Sequence, residues 1–260
     1  MSVVPAQLIG SYGERPAAPF LSHIFAATWV HRLPESGSAP IAVAPDGTID
    51  LQWVGGKFRI AGPDKEPQVE HLPPGALVIG FRFLPGAAAS WLRIPATEFL
   101  GARVALSTLI GVKAGMLPSC RAGTLADFVA SLEHAIASHS VERDGVDRTM
   151  QAAFRLVEGG PPPGAPLVPW LGRALAMSER TLRRRFDESF GYGPKTLDRI
   201  LRFQRFRSLA RLGGASPAIL ALEAGYSDQA HLVRESRRLM GLTPGQLMQG
   251  LGDRRDQLGV

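Results

Sequence analysis

The spacing of apolar positions changes character along this chain. From Ile41 to Leu84 they come in short runs separated by turn residues: IAVA, Pro45-Asp46-Gly47, TIDLQWV, Gly55-Gly56, KFRIAG, QVEHL, Pro73-Pro74-Gly75 and ALVIGFRFL. Runs of that length between Gly, Pro and Asp read as strands joined by tight turns, so this stretch predicts an antiparallel β meander or barrel-like sheet. Helical spacing then takes over. AAASWLRI after Pro85-Gly86 reads as a short helix. Thr124 to His139 places Leu125, Phe128, Val129, Leu132 and Ile136 on one stripe behind Thr124 as N-cap, and Asp147 to Glu158 repeats the pattern with Met150, Phe154 and Val157. The first half is expected to be α+β, with the helix at 124–139 laid on the sheet or paired with a second copy.

Glu158 to Pro166, EGGPPPGAP, breaks the helical pattern, because three prolines flanked by glycines make a semi-rigid surface connector. Beyond it the strand signals vanish. Leu167 to Ala176, Glu179 to Phe190, Lys195 to Leu212, Ala218 to Ala224, Asp228 to Met240 and Pro244 to Gln249 all read as helices, with Gly191, Gly213 and Gly241 at their ends and Pro194 and Pro244 in first turns. The expected division is 1–158, a linker at 159–166, an all-α unit at 167–250 and a tail at 251–260.

That α half repeats. Shifted by 50 residues, Met177–Leu197 overlies Ser227–Leu247 and matches Leu182 with Leu232, Arg184 with Arg234, Gly191 with Gly241, Pro194 with Pro244 and Leu197 with Leu247. The matched residues are core leucines, stop glycines and a helix-starting proline, and Ser178 coincides with Asp228 as N-cap. Each copy is a short helix, a tight turn and a second helix, which is a helix-turn-helix pattern. On a helical wheel, Leu182, Phe186 and Ser189 share one side of the first copy while Arg180, Arg183 and Arg184 point away. Arg234 and Arg237 point away from Leu232 and Leu239 in the second.

Charge sharpens this picture. Residues 1–165 carry 13 Lys+Arg against 14 Asp+Glu and residues 166–260 carry 16 against 9, so the halves bear −1 and +7. Positive charge confined to one unit suits a polyanion, since neutralising phosphates releases counterions. The cluster Arg180-Arg183-Arg184 repels itself on an isolated helix and calls for an anionic partner. Double-stranded DNA fits best, because an α-helix enters its major groove and offers Arg to guanine and Gln to adenine, whereas the A-form RNA groove excludes a helix. Arg180, Arg183, Arg184, Gln229 and Arg234 are candidate base readers; Arg185, His231, Arg237 and Arg238 are candidate phosphate contacts.

What remains bounds the alternatives. The longest apolar run, Ala76 to Phe81, is too short to span a bilayer, and no secretory leader pattern opens the chain, so a soluble cytoplasmic protein without a membrane partner is expected. One cysteine, Cys120, supports neither a disulfide framework nor a cysteine zinc cage. No Gly-rich phosphate loop or nucleophile elbow is present.

The helical half resembles the AraC/XylS-type transcription regulators. The similarity rests on LGRALAMSERTLRRRFDESFGYGP, on the joining stretch KTLDRILRFQRFRSLARL and on AGYSDQAHLVRESRRLMGLTPGQL, and it spans roughly 167–249. The resemblance implies two helix-turn-helix units joined by a rigid helix, with recognition helices in successive major grooves. It places base-facing positions on Arg180, Arg183 and Arg184 and on Gln229, Ala230, Val233 and Arg234. It also implies an N-terminal half that senses a small molecule or dimerises, contact with RNA polymerase in an activator, a possible homodimer, and association with the nucleoid when bound. Ser236 departs from the family by standing where a large apolar residue is usual. APDGTIDLQWVGG and FRFLPGAAASWL resemble the sensor half of some of these regulators.

For the N-terminal half the resemblance implies a cupin-like effector pocket, with Trp53, Phe58, Phe81, Phe83 and Trp91 as candidate lining. His23, His31 and His71 lack a His-x-His pair or companion Glu motif, so neither a metal nor a cofactor is expected. Asp46 and Asp50 read as a turn residue and an edge-strand residue rather than a catalytic pair, and Cys120 as an ordinary thiol rather than an alkyl acceptor. A ligand-responsive, non-enzymatic DNA-binding regulator is the expected function. The rivals are a β-barrel enzyme fused to a DNA-binding module, and an N-terminal half that is scaffold only.

Overall fold

A computed structural model describes residues 4–36, 40–110, 123–140 and 146–258; Cys120 lies outside them. Two sheets form the N-terminal half. The smaller joins β1 (Val4–Pro5), β4 (Ile41–Val43) and β7 (Gln68–Glu70) in the order β1-β4-β7, with β1 parallel to β4. The larger contains β2 (Ser11–Pro16), β3 (Phe25–Arg32), β5 (Asp50–Val54), β6 (Lys57–Ala61), β8 (Leu77–Phe83) and β9 (Arg103–Ala105). Its order is β2-β3-β8-β5-β6-β9 and every neighbouring pair is antiparallel. The β5–β6 hairpin turns at Gly55 and Gly56, both at positive φ, as the sequence reading requires.

Period-two alternation gives this sheet two different faces. Ile79, Phe81 and Phe83 of β8, Leu51 of β5 and Phe58 and Ile60 of β6 pack into one apolar core with α1 (Ala87–Leu92), α2 (Leu106–Ile110) and α3 (Leu125–Ser140). Val129, Leu132 and Ile136 carry α3 into that core, so α3 lies on the sheet. The buried carboxylate of Glu133 fixes it there, accepting from Arg15 at 2.7 Å and from Thr28 at 2.9 Å. The opposite face carries Trp29 and His31 of β3, Asp50 and Gln52 of β5, and Arg82 of β8.

The second core is built from α5 (Leu167–Ala174), α6 (Glu179–Phe190), α7 (Pro194–Leu212), α8 (Pro217–Glu223), α9 (Gln229–Met240) and α10 (Pro244–Leu258). The 50-residue repeat is literal: α5 and α8, and α6 and α9, start and stop in the same register apart from one residue at the end of α8. Ser178 caps α6 by accepting from Thr181 N, and Asp228 caps α9 by accepting from His231 N. Gly191 and Gly241 end these helices at φ 78° and 75°, a left-handed conformation that glycine adopts without steric cost.

The helix α4 (Arg148–Gly159) packs with this second core. Met150, Ala153, Phe154 and Val157 join Phe190, Phe203 and Phe206, and the Phe154 and Phe190 rings stand 6.0 Å apart. The proline-rich connector thus runs between two helices of one core, and the packing seam lies before α4.

Candidate nucleic-acid interface and interdomain cavity

In α6 the core claims Leu182, Phe186, Ser189 and Phe190, and this burial turns the opposite face outward. Arg180, Arg183 and Arg184 are all exposed. Two of them carry intrahelical partners that the sequence reading left out: Arg183 pairs with Glu179 at 3.1 Å and Arg184 with Glu188 at 2.7 Å. Like-charge repulsion is therefore partly relieved within the helix itself. Exposed pairs of this spacing contribute only about 0.3–0.5 kcal/mol, which a phosphate or a guanine edge can replace. Arg180 makes no ion pair among the described residues.

Arg185 faces another way. Its guanidinium pairs with Asp147 at 2.5 Å, and Asp147 also caps α4 by accepting from Thr149 N and Met150 N. The side chain thereby braces α6 against α4.

The second helix repeats the arrangement. Leu232, Ser236, Leu239 and Met240 are buried, while Gln229, Ala230, Arg234, Arg237 and Arg238 are exposed and Val233 is half-buried. His231 is half-buried, its ring edge-on to Tyr226 at 5.2 Å. Ser236 is fully buried, and its hydroxyl donates to the Leu242 carbonyl at 2.7 Å, so a hydrogen bond fills the place of the missing apolar side chain. Arg199 of α7 and Glu235 of α9 pair at 3.4 Å, linking the joining helix to the second helix of the second unit.

Between the polar face of the large sheet and α7 lies a cavity of about 760 Å³. Trp29 and Arg82 supply its sheet wall, Gln204, Arg207 and Arg211 its helix wall, and the Pro45-Asp46-Gly47 turn reaches across. Of the five aromatics expected to line a pocket, only Phe83 does so. Phe58, Phe81 and Trp91 lie in the apolar core on the other face, and Trp53 packs edge-on against Phe128 at 4.8 Å. Strand alternation is the reason: Ile79 and Phe81 of β8 point into the core and Val78 and Arg82 into the cavity, while Phe83, at the end of the strand, packs in the core and borders the cavity as well.

Asp50 is not on an edge, since β5 runs between β8 and β6. It is buried, accepts from the Trp29 indole N–H at 3.2 Å and stands 3.4 Å from Arg82. Burial pushes its carboxyl up to about 6, against the pull of the Arg82 charge. Trp29 lies so closely over Gly80 that a Cβ there would sit 2.0 Å from the indole, which reserves the position for glycine. Arg82 gathers Glu14 at 3.1 Å and Asp46 at 3.6 Å as well, while Arg59 of β6 pairs with Glu70 at 2.5 Å. Arg207 is buried, and burial with the neighbouring Arg211 charge lowers its guanidinium to about 10. Its Nη1 donates to Gln204 Oε1 at 2.8 Å.

His31 Nε2 lies 2.8 Å from the Ile9 carbonyl. Among the described residues no group of three or more His, Cys, Asp or Glu could hold a metal ion, and no helix is long and apolar enough to cross a membrane.

These features define a double helix-turn-helix protein with a sheet-rich N-terminal half. Comparison agrees with that division. The family model described as "Helix-turn-helix domain" matches residues 171–250, and the one described as "Domain of unknown function (DUF6597)" matches 14–105. An apo ToxT variant from Vibrio cholerae is 12% identical, covering 91% of this chain and 100% of its own, with a TM-score of 0.50, a likeness of fold. A probable AraC family transcriptional regulator from Rhodopseudomonas palustris is 21% identical over 40% of this chain and 96% of its own, with a TM-score of 0.35. Unsaturated fatty acid-bound wild-type ToxT is 10% identical over 90% of this chain and 96% of its own, with a TM-score of 0.44. No curated protein matches. Residues 171–250 thus match a helix-turn-helix family model, over the same stretch that resembles the AraC/XylS-type regulators in sequence.

Proposed function

We propose that this protein is a sequence-specific DNA-binding transcription regulator whose affinity for DNA answers to a small molecule held between its halves. One observation carries the reading: α6 and α9, related by a 50-residue repeat, each bury a matched apolar stripe and expose a matched basic and polar face, with α7 joining them. In this reading Arg180, Arg183 and Arg184 read bases from the first unit, and Gln229, Ala230, Val233 and Arg234 from the second. Ala230 and Val233 carry no hydrogen-bonding side chain and suit thymine methyl groups, so the first unit supplies most of the specificity. His231, Arg237 and Arg238 hold phosphates, while Arg185, engaged by Asp147, serves packing. The cavity gives the responsive element, because α7 forms one of its walls.

Selection from a random duplex library tests the proposal. The expected outcome is two half-sites about one helical turn, roughly 10 base pairs, apart. Failure to enrich any duplex sequence at low ionic strength would overturn it.

A further inference from the structure

The cavity has walls of opposite charge. On the sheet side three carboxylates, Glu14, Asp46 and Asp50, surround the single guanidinium of Arg82. On the helix side Arg207 and Arg211 face the same space, and neither makes an ion pair among the described residues. The other charged lining groups do not cancel this separation: Arg59 and Glu70 neutralise each other, and Glu158 is exposed. Arg207 is 6% exposed, and among the described residues its guanidinium donates to the Gln204 amide oxygen. A buried guanidinium without an ion pair, with Asp46 the carboxylate whose charge reaches it, is costly and leaves donors unused, which a carboxylate or phosphate would take up in a forked pair. Across the cavity, Trp29 and Tyr12 stand with ring centres 5.9 Å apart beside Glu14 and Asp50. Aromatic faces next to carboxylates suit an ammonium group.

We infer that the effector is a zwitterion, with an acidic group held by Arg207 and Arg211 on α7 and an ammonium held by the carboxylates and aromatic faces of the sheet. This deepens the ligand-responsive reading above and rests on it. A ligand bound in this way ties the sheet to the helix that joins both recognition helices. Three carboxylates share one guanidinium on the sheet wall, so an unsubstituted long-chain acid would leave the excess negative charge there uncompensated.

Thermal melting and calorimetry on the full chain test this with 4-aminobutanoate, 6-aminohexanoate and 8-aminooctanoate as probes. Hexanoate and hexylamine serve as half-probes, and palmitoleate as the apolar alternative. At least one ω-amino acid is expected to raise the melting temperature by about 2 °C or more at saturating concentration, with neither half-probe doing so. Arg211→Gln, at an exposed position, and Glu14→Gln should each weaken that probe about ten-fold while melting normally without ligand. Arg207→Gln should abolish the shift.

Equal shifts from hexanoate or hexylamine and the ω-amino acids would overturn the zwitterion, as would no response to the whole ω-amino acid series. A response to palmitoleate alone would overturn it too while leaving a ligand-responsive regulator standing. The regulator reading fails separately if the same preparation binds no duplex.

Discussion

The side-chain amide of Gln204 donates to the carbonyl oxygen of Pro45 at 2.5 Å, joining the middle of α7 to a turn of the N-terminal sheet. Two positions on, Gly47 lies against Leu197 and Leu201 of α7, and Ala44 is counted in the helical core. Between them Asp46 faces the cavity and reaches toward Arg82. One turn therefore touches the cavity on one side and the helix joining the two helix-turn-helix units on the other. Gln204→Ala should cost about 1–3 kcal/mol, since it leaves the Pro45 carbonyl without its partner and removes the acceptor of the buried Arg207. Denaturant titration of the full chain measures this, and an unchanged midpoint would show that the contact does not bind the halves together.

Base reading and phosphate holding separate by salt and sequence. Arg184→Ala should lose about 1–3 kcal/mol on the selected duplex and relax preference at one base step. Arg237→Ala should weaken all duplexes alike and reduce the salt slope by about 1. Anisotropy titrations on selected and random duplexes across salt concentrations check both. Equal loss on the two duplexes for Arg184→Ala would remove it from the readers.

Ser236 holds its buried place by a hydrogen bond, so enlarging it is not a repair. Ser236→Phe displaces the Leu242 carbonyl contact and forces a ring into a filled site, an overpacking cost of about 1–3 kcal/mol, and Ser236→Ala loses about 1 kcal/mol. Melting curves should fall for both, further for Phe. A rise for Phe would mean that the second unit has unused room.

Asp50 gives the fold a pH signature. Its carboxyl lies higher folded, at about 6, than the ordinary 3.8, so the folded chain binds this proton more tightly than the unfolded one. Stability from this group is fully present below about pH 4 and falls as pH rises to about 6, where the ionised form must bear its burial. Asp50→Asn should remove that slope, and the stability difference between the two proteins should change only inside this window. A parallel pair of profiles between pH 4 and 6 would contradict the assignment.

The helical half was legible because its signals are local. N-caps, stop glycines, first-turn prolines and a 3.6-residue apolar stripe lie within a dozen residues of one another, and α6 matched its reading residue for residue at Glu179 to Phe190. The sheet was legible from Ile41 onward, where glycines and prolines punctuate it, but β2 and β3 were missed. The alternation in FAATWVHR has no turn signal as sharp as Gly-Gly beside it, and β2 is exposed along its whole length. The Arg183–Glu179 and Arg184–Glu188 pairs could have been read from their i,i+4 spacing.

The cavity was not legible. Its walls come from strands and a helix more than a hundred residues apart, and aromatic residues marked the sheet's other face. Asp50 read as an edge residue because strand order depends on non-local pairing. Polar residues at alternate strand positions, Gln52 and Arg82 among them, were the available signal that this face borders something other than core.

Hydroxyl-radical footprinting of the full chain on its selected duplex tests the central claim most directly. Two protected patches on one face of the duplex, about 10 base pairs apart, are expected, with Arg184→Ala weakening one and Arg234→Ala the other. A single patch, or loss of both patches from either substitution alone, would contradict two recognition helices held by α7 on successive grooves.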